Sequence, residues 1–467
     1  MQAKNKALLG QGSVTKNVIK MATPMIFAMI INGLYYLVDA AFVGWKVGQT
    51  ALGGLAVVFP LQMLAVALGS MIGIGTGNVI SLKLGENKHD EAASTVKNGF
   101  IYATALSVLV SVLFMVFKNP ILEAFGATTN FWQHANDYYS IIVPGFILVF
   151  LSFLEINTIR AEGNAKLAAM GMFLGSVLNI VLDAVFILGF NMGAAGAAWG
   201  TVLARLITTI YLSMYYVAKK STINLKAVAW KLNFKLMHKI SLLGMGPFMN
   251  QLGFSLLAMV MNLMLKKHGA ELDLAIYGVL SRIIVFVTMP FTGVAQGLQP
   301  IIGFNLGAKN ADRIKKATRV ALLYAFGIGV ILCVLLVGFP SQMLSLFTKD
   351  AAIIASGAAP LRFTMLLVPI IGVQIIAYFY FMAIHKPMRA LVLSISRQVL
   401  FILPILIVLP SFMGLEGVWL AYPLADIFSV GLSAWWLSRF VRKPLSQLTA
   451  ESKMKATEQK TVIQEAT

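Results

Sequence analysis

Twelve predominantly apolar stretches of about twenty residues or more recur along the chain. They lie at roughly 17–44, 54–82, 93–117, 136–159, 165–189, 194–218, 238–266, 274–303, 316–339, 356–383, 390–410 and 416–438. A helix rising about 1.5 Å per residue crosses about 30 Å of hydrocarbon in twenty residues, so each stretch predicts a transmembrane helix. Six fall in each half. The pattern therefore predicts an all-α polytopic membrane protein of twelve spans.

The halves repeat each other. Gly75, Leu84, Gly85, Asp90 and Lys97 reappear 222 positions later as Gly297, Leu306, Gly307, Asp312 and Arg319. Pro24 answers Pro247, and Gly193-x-x-Gly196 answers Gly414-x-x-Gly417. Six spans return the chain to the face it started from, so two pseudo-symmetric six-helix lobes follow as parallel repeats about an axis along the membrane normal. The predicted organisation is an N-terminal segment 1–16, a first lobe 17–218, a linker 219–237, a second lobe 238–440 and a tail 441–467. Trp230 and Leu232 among the linker lysines suggest a short amphipathic helix on an anionic leaflet, or else an ordinary solvated linker. Gly85 and Gly307 read as C-terminal caps of spans 2 and 8.

Composition agrees with this picture. The chain is 58% hydrophobic, has a mean hydropathy of +0.81 and is 12% charged, against about 25% charged in soluble domains. A net charge of +19 would suggest nucleic acid in a soluble protein, but its distribution argues otherwise. With the N-terminus placed inside, 29 of the 37 Lys and Arg fall on the inner side and five on outer loops. That bias predicts both termini in the cytoplasm by the positive-inside rule, with the bilayer rather than nucleic acid as partner. The polar, basic start and the long first apolar stretch indicate a retained span, not a cleaved signal peptide. Cys333 stands alone, which rules out an intrachain disulfide.

Enzyme chemistry finds no support. There is no phosphate-cradling Gly-x4-Gly-Lys-Ser/Thr, and histidines 89, 134, 238, 268 and 385 form no metal-ligand spacing. No cofactor is expected, so work must come from an ion gradient. Ionisable groups inside a bilayer are costly and mark function by default. Asp39 on span 1, Asp183 and Asn179 on span 5, and Thr201 on span 6 all fall about 8–11 Å inside the outer boundary at about 1.5 Å per residue. Tyr139, or Tyr138, on span 4 is placed to join them. Carboxylates out of bulk water with amide and hydroxyl partners suit reversible binding of H⁺ or Na⁺. Polar glue between helices is the plainer alternative. The second lobe has Asn262 and about Ile405 at the corresponding positions, so the acidic pair belongs to the first lobe.

Asp426 on span 12 and Arg282 on span 8 are expected to form a buried ion pair. Glu155 lies close to an inner end, and Arg205 has no evident partner. Pro24, fifteen residues before Asp39, permits the first helix to bend. Asn32, Tyr36, Gln62, Asn157 and Gln251, with Tyr35, Asn250, Gln296 and Gln374, are candidates to line a substrate cavity between the lobes.

With twelve spans in two lobes, paired Leu-Gly exits and Gly-x-x-Gly openings, residues 15–440 resemble the multidrug and toxic compound extrusion (MATE) family. Asp39, Asn179-x3-Asp183, Thr201 and Pro24 resemble its DinF-like branch, which includes exporters of the MepA type. Tyr139 and Asn157 are looser matches. The glutamate of span 7 and aspartate of span 10 that mark the NorM-like branch are missing here, where span 7 has Asn250-Gln251. The resemblance implies antiport by alternating access: inward H⁺ or Na⁺ drives export of amphipathic, often cationic, small molecules across a bacterial or archaeal inner membrane. A monomer is expected. A lipid-linked saccharide flippase of the same superfamily is the rival reading, and a non-transporting membrane scaffold a distant one.

Overall fold

The computed structural model describes residues 8–46, 49–127 and 129–442. The side chains of Tyr36 and Asp39, on the first helix, lie outside the described residues. All regular structure among the described residues is helical. Among the described residues ten helices are long and apolar enough to cross a bilayer unaided, or up to twelve where each of two bent pairs counts as one span. Span 1 is Val14–Tyr35, span 2 Gly53–Gly85, span 3 His89–Val116, span 5 Ala165–Gly189 and span 6 Gly193–Val217. Span 7 is Phe234–His268, span 8 Glu271–Gly307, span 9 Ala311–Gly338, span 11 Pro387–Val408 and span 12 Pro410–Val441. Span 4 is the pair Phe131–Ile142 and Phe146–Ala161, and span 10 the pair Ala351–Met365 and Val368–Ala383.

The repeat extends to the irregularities. Spans 4 and 10, expected to run unbroken, bend by 49° and 50°. Proline explains both: Pro144 and Pro369 lack the N–H that would bond four residues back, and their rings crowd the carbonyls of Ser140 and Met365. Short helices, Lys118–Ala124 and Pro340–Ser345, follow spans 3 and 9. Spans 5 and 11 each widen into a π-helical segment, Ala184–Gly189 and Ser396–Ile402. Gly193, opening span 6, and Gly414, at a kink near the start of span 12, both have positive φ.

Gly85 and Gly307 have a different role from the one expected. The left-handed residues after spans 2 and 8 are Asn87 and Lys309, at φ 57° and 56°. The glycines are still helical, and each is required by close packing. A Cβ on Gly85 would stand 1.9 Å from the Phe304 carbonyl oxygen, and one on Gly307 would stand 2.2 Å from that of Leu82. Gly75 and Gly297 act in the same way: added Cβ atoms would lie 2.0 Å from the Ile240 oxygen and 2.5 Å from Ala22 Cα. These backbone-to-backbone crossings explain why both halves retain the same glycines.

The chain condenses into two compact units. One comprises Thr23–Ile80 and Lys88–Gln251. The other takes the opening turns of span 1 up to Ala22, then Ser81–Asn87 and the described residues from Leu252 on. The first unit has a core of aromatic and aliphatic side chains, with Tyr139, Phe146 and Phe150 among its fully buried members.

Of the two forms open to it, the linker does not adopt the amphipathic helix. Its regular structure is one 3₁₀ turn, Leu225–Ala227, followed by extended Val228. It is held to the first unit as a strap. Glu162 accepts from the Thr222 N–H (2.6 Å) and from the Ser221, Thr222 and Tyr215 hydroxyls. Lys97 donates to the Val228 carbonyl and lies over the Trp230 ring, while Asn98 bonds the main chain at Lys231 and Asn233. With its polar main chain bonded to side chains of spans 3 and 4, the strap does not need helical bonds.

Candidate functional site in the first unit

Span 5 places Asn179 and Asp183 four residues apart, hence on one face. Asp183 is the last α-helical residue before the π-helical segment, and such segments often mark functional sites. Its side chain is 0% exposed and that of Asn179 3%. Span 6 packs opposite. There the Asp183 carboxyl lies on the bare Cα of Gly200: an added Cβ would stand 2.1 Å from Oδ1. Both neighbours of Asn179 are satisfied when its amide nitrogen donates to Asp183 Oδ2 (3.1 Å). Its oxygen then accepts from the Thr201 hydroxyl (3.2 Å).

Three of the residues selected from sequence are therefore brought together: Asp183, Asn179 and Thr201. The oxygens of buried Asp183 and Asn179 and of half-buried Thr201 form a hard set able to take up a proton or a small cation. Gly200→Ala is expected to push the carboxyl off its seat and reduce transport at least as severely as Asn179→Ala, with the protein still reaching the membrane. Membrane abundance compared with export rate checks this.

The remaining predicted residues divide. Asp39 and Tyr36 sit on the first helix, with side chains outside the described residues. Tyr139 does not join Asp183. It is fully buried, and its hydroxyl donates to the Phe114 carbonyl on span 3 at 2.6 Å. Tyr138 instead accepts from Gln62 of span 2 at 2.8 Å. Asn157 is buried: it donates to the Phe153 carbonyl and accepts from Arg160. A Cβ on Gly73 of span 2 would meet its amide at 2.8 Å. Asn32 and Gln251 are half-buried. Pro24 lies inside a continuous helix, Val14–Lys46, two residues past the point where the chain passes from the second unit into the first.

In the second unit the buried acid has another partner. Asp426 accepts from Arg397 Nε at 2.5 Å and Nη2 at 3.4 Å, both residues being buried. Arg282 of span 8 is exposed. Arg397 is one of the 29 Lys and Arg that the topology places on the inner side. The π-helical segment of span 11 turns it into the unit instead. Gly200, Arg397 and the buried Glu162 were the functional or structural residues missed. Only the Gly193, Gly196, Gly200 run offered a signal for any of them.

A twice-repeated, all-helical bundle with buried polar groups inside its spans is the architecture of a membrane carrier. The MatE family model matches residues 24–185 and again 248–407, once in each half. The chain belongs to the MatE family and is a MATE transporter. It is similar to the "Multidrug export protein MepA" of Staphylococcus aureus (strain MRSA252), with 24% identity over 406 residues, 87% of this chain and 89% of that protein. Two solved structures share the fold. One is an outward-facing multidrug resistance MATE family transporter of the MOP superfamily: TM-score 0.88, 24% identity, 95% of this chain and 98% of that one. The other is a MOP superfamily transporter from Pyrococcus furiosus: TM-score 0.88, 23% identity, 96% and 99% covered.

Proposed function

We propose that this protein is a cation-coupled antiporter that exports amphipathic, often cationic, small molecules from the cytoplasm. The buried Asp183–Asn179–Thr201 set carries the reading. It provides hard oxygens inside a carrier that has no motif for using ATP. The chain's similarity to MepA, a multidrug export protein, supports the substrate class. Asp39 joins the set as the second carboxylate, and the transported ion is H⁺ or Na⁺. Ion and drug bind the two faces' states with different affinities, and that difference drives exchange. Pro24 lets span 1 bend between those states. The protein works in the cytoplasmic membrane with both termini inside, as the basic loops indicate.

Proteoliposomes loaded with a fluorescent organic cation test the reading. Under an imposed pH or sodium gradient the wild type is expected to move the dye, and Asp39→Asn to lose gradient-driven movement. Movement unaltered in the variant would place coupling elsewhere. No movement with either ion, together with translocation of a lipid-linked saccharide, would replace the antiporter with a flippase.

A further inference from the structure

We infer that Glu155 is a further proton-binding carboxyl, at a second site placed where the transported proton leaves the first unit toward the inner side. The inference rests on the coupling role proposed above and adds a residue to it. Glu155 lies on the second leg of span 4, six residues before its end at Ala161, about 9 Å in depth at 1.5 Å per residue. It is 0% exposed. Oε1 accepts from the Ser213 hydroxyl of span 6 at 2.5 Å, whereas Oε2 is buried and has no hydrogen-bond partner.

Among the described residues, the other buried acids have partners of their own. Asp426 has the Arg397 guanidinium, and Glu162 has three hydroxyls and a main-chain N–H. Asp183 has the Asn179 amide. No ion pair forms at Glu155 among the described residues. The charged groups around it are occupied or turned away. Arg160 on its own leg bonds Asn157, Lys97 of span 3 bonds the Val228 carbonyl, and Lys166 at the start of span 5 is exposed. From span 6, Arg205 sits over the Phe153 ring, and the Tyr216 hydroxyl shares a hydrogen bond with Thr158. A lone carboxylate in this setting is expensive, and a bound proton on Oε2 removes the expense. Glu155 is therefore loaded in this state and becomes an anion only when water reaches it.

Span 6 links the two carboxyl sites. Thr201 contacts Asn179 beside Asp183, and Ser213 holds Glu155, twelve residues or about 18 Å further along. Arg205 and Thr209 fall between them at four-residue steps, each about 40° further round the helix. The Thr209 hydroxyl is buried and has no hydrogen-bond partner. On opening to the inner side, the Oε2–H bond breaks and water takes the proton. The carboxylate left behind is steadied by the Ser213 O–H until a proton arriving along span 6 restores the acid.

Wild type, Asp183→Asn and Glu155→Gln in proteoliposomes test this, each assayed for pH-gradient-driven dye flux and for gradient-free exchange of dye against unlabelled drug. Glu155→Gln is expected to lose at least tenfold in driven flux while exchange stays within twofold of wild type. Driven flux in Glu155→Gln within twofold of wild type overturns the inference, while loss in Asp183→Asn would leave the coupling reading standing. A wild type driven by sodium alone also overturns it without touching antiport. If Glu155→Gln loses exchange as well, Ser213→Ala decides. A shift of about one pH unit in its flux profile, with exchange intact, supports the assignment, and an unshifted profile refutes it.

Discussion

Asp183→Asn is expected to reduce gradient-driven export about a hundredfold, a usual scale for removing an essential proton-transfer group, while leaving the fold intact. The isosteric amide fits the space beside Gly200 and keeps a hydrogen-bonding oxygen for Asn179, so packing does not change. What it loses is the ability to alternate between charged and neutral forms. A carrier whose ion site cannot change charge has no differential affinity with which to shift its two states, however well it binds drug. Drug binding measured by fluorescence anisotropy is accordingly expected to survive in the variant. Loss of binding together with flux would mean that Asp183 holds drug rather than the coupling ion.

The second large effect is expected in the other unit, on stability. Arg397→Met should leave the Asp426 carboxylate buried without its cation, costing about 3–5 kcal/mol. Asp426→Leu should do the same from the other side. The double variant removes both charges and is expected to recover most of the loss, because two apolar side chains of similar volume can fill the site. Thermal unfolding in detergent, monitored for all three variants, checks this. A double variant as unstable as the worse single would show that the pair does more than neutralise itself. Export by the double variant close to wild type would then confirm that Asp426 is structural.

Much of this architecture could be read from the chain because hydrocarbon imposes its own length. Twelve apolar runs became twelve spans, and the 222-residue echo became matching bends, π-helical segments and glycine crossings. Asn179, Asp183 and Thr201 were legible for the same reason, since depth in a membrane follows from counting residues. What sequence could not supply was azimuth, the direction in which a side chain leaves its helix. Tyr139 was at the right depth and faces Phe114. Arg282 was at a plausible depth and is exposed, while Arg397, assigned to the inner side, reaches Asp426 because the π-helical segment shifts the helical phase. Glycines at helix ends were read as caps from chain-local rules, whereas the Phe304 and Leu82 carbonyls that require them are more than 200 residues away in sequence. The strap escaped for a similar reason: its bonds go to Glu162, Lys97 and Asn98, all on other segments.

The account stands on exchange of a cation for a drug through the acids of the first unit, and counterflow measures that directly. Proteoliposomes containing a pH-sensitive or sodium-sensitive dye would receive a drug gradient with no ion gradient imposed. Wild type is expected to drive H⁺ or Na⁺ in the direction opposite to the drug, and Asp39→Asn and Asp183→Asn to show no ion movement. Drug movement by the wild type without counter-moving cation, or counterflow undiminished in both variants, would contradict the account.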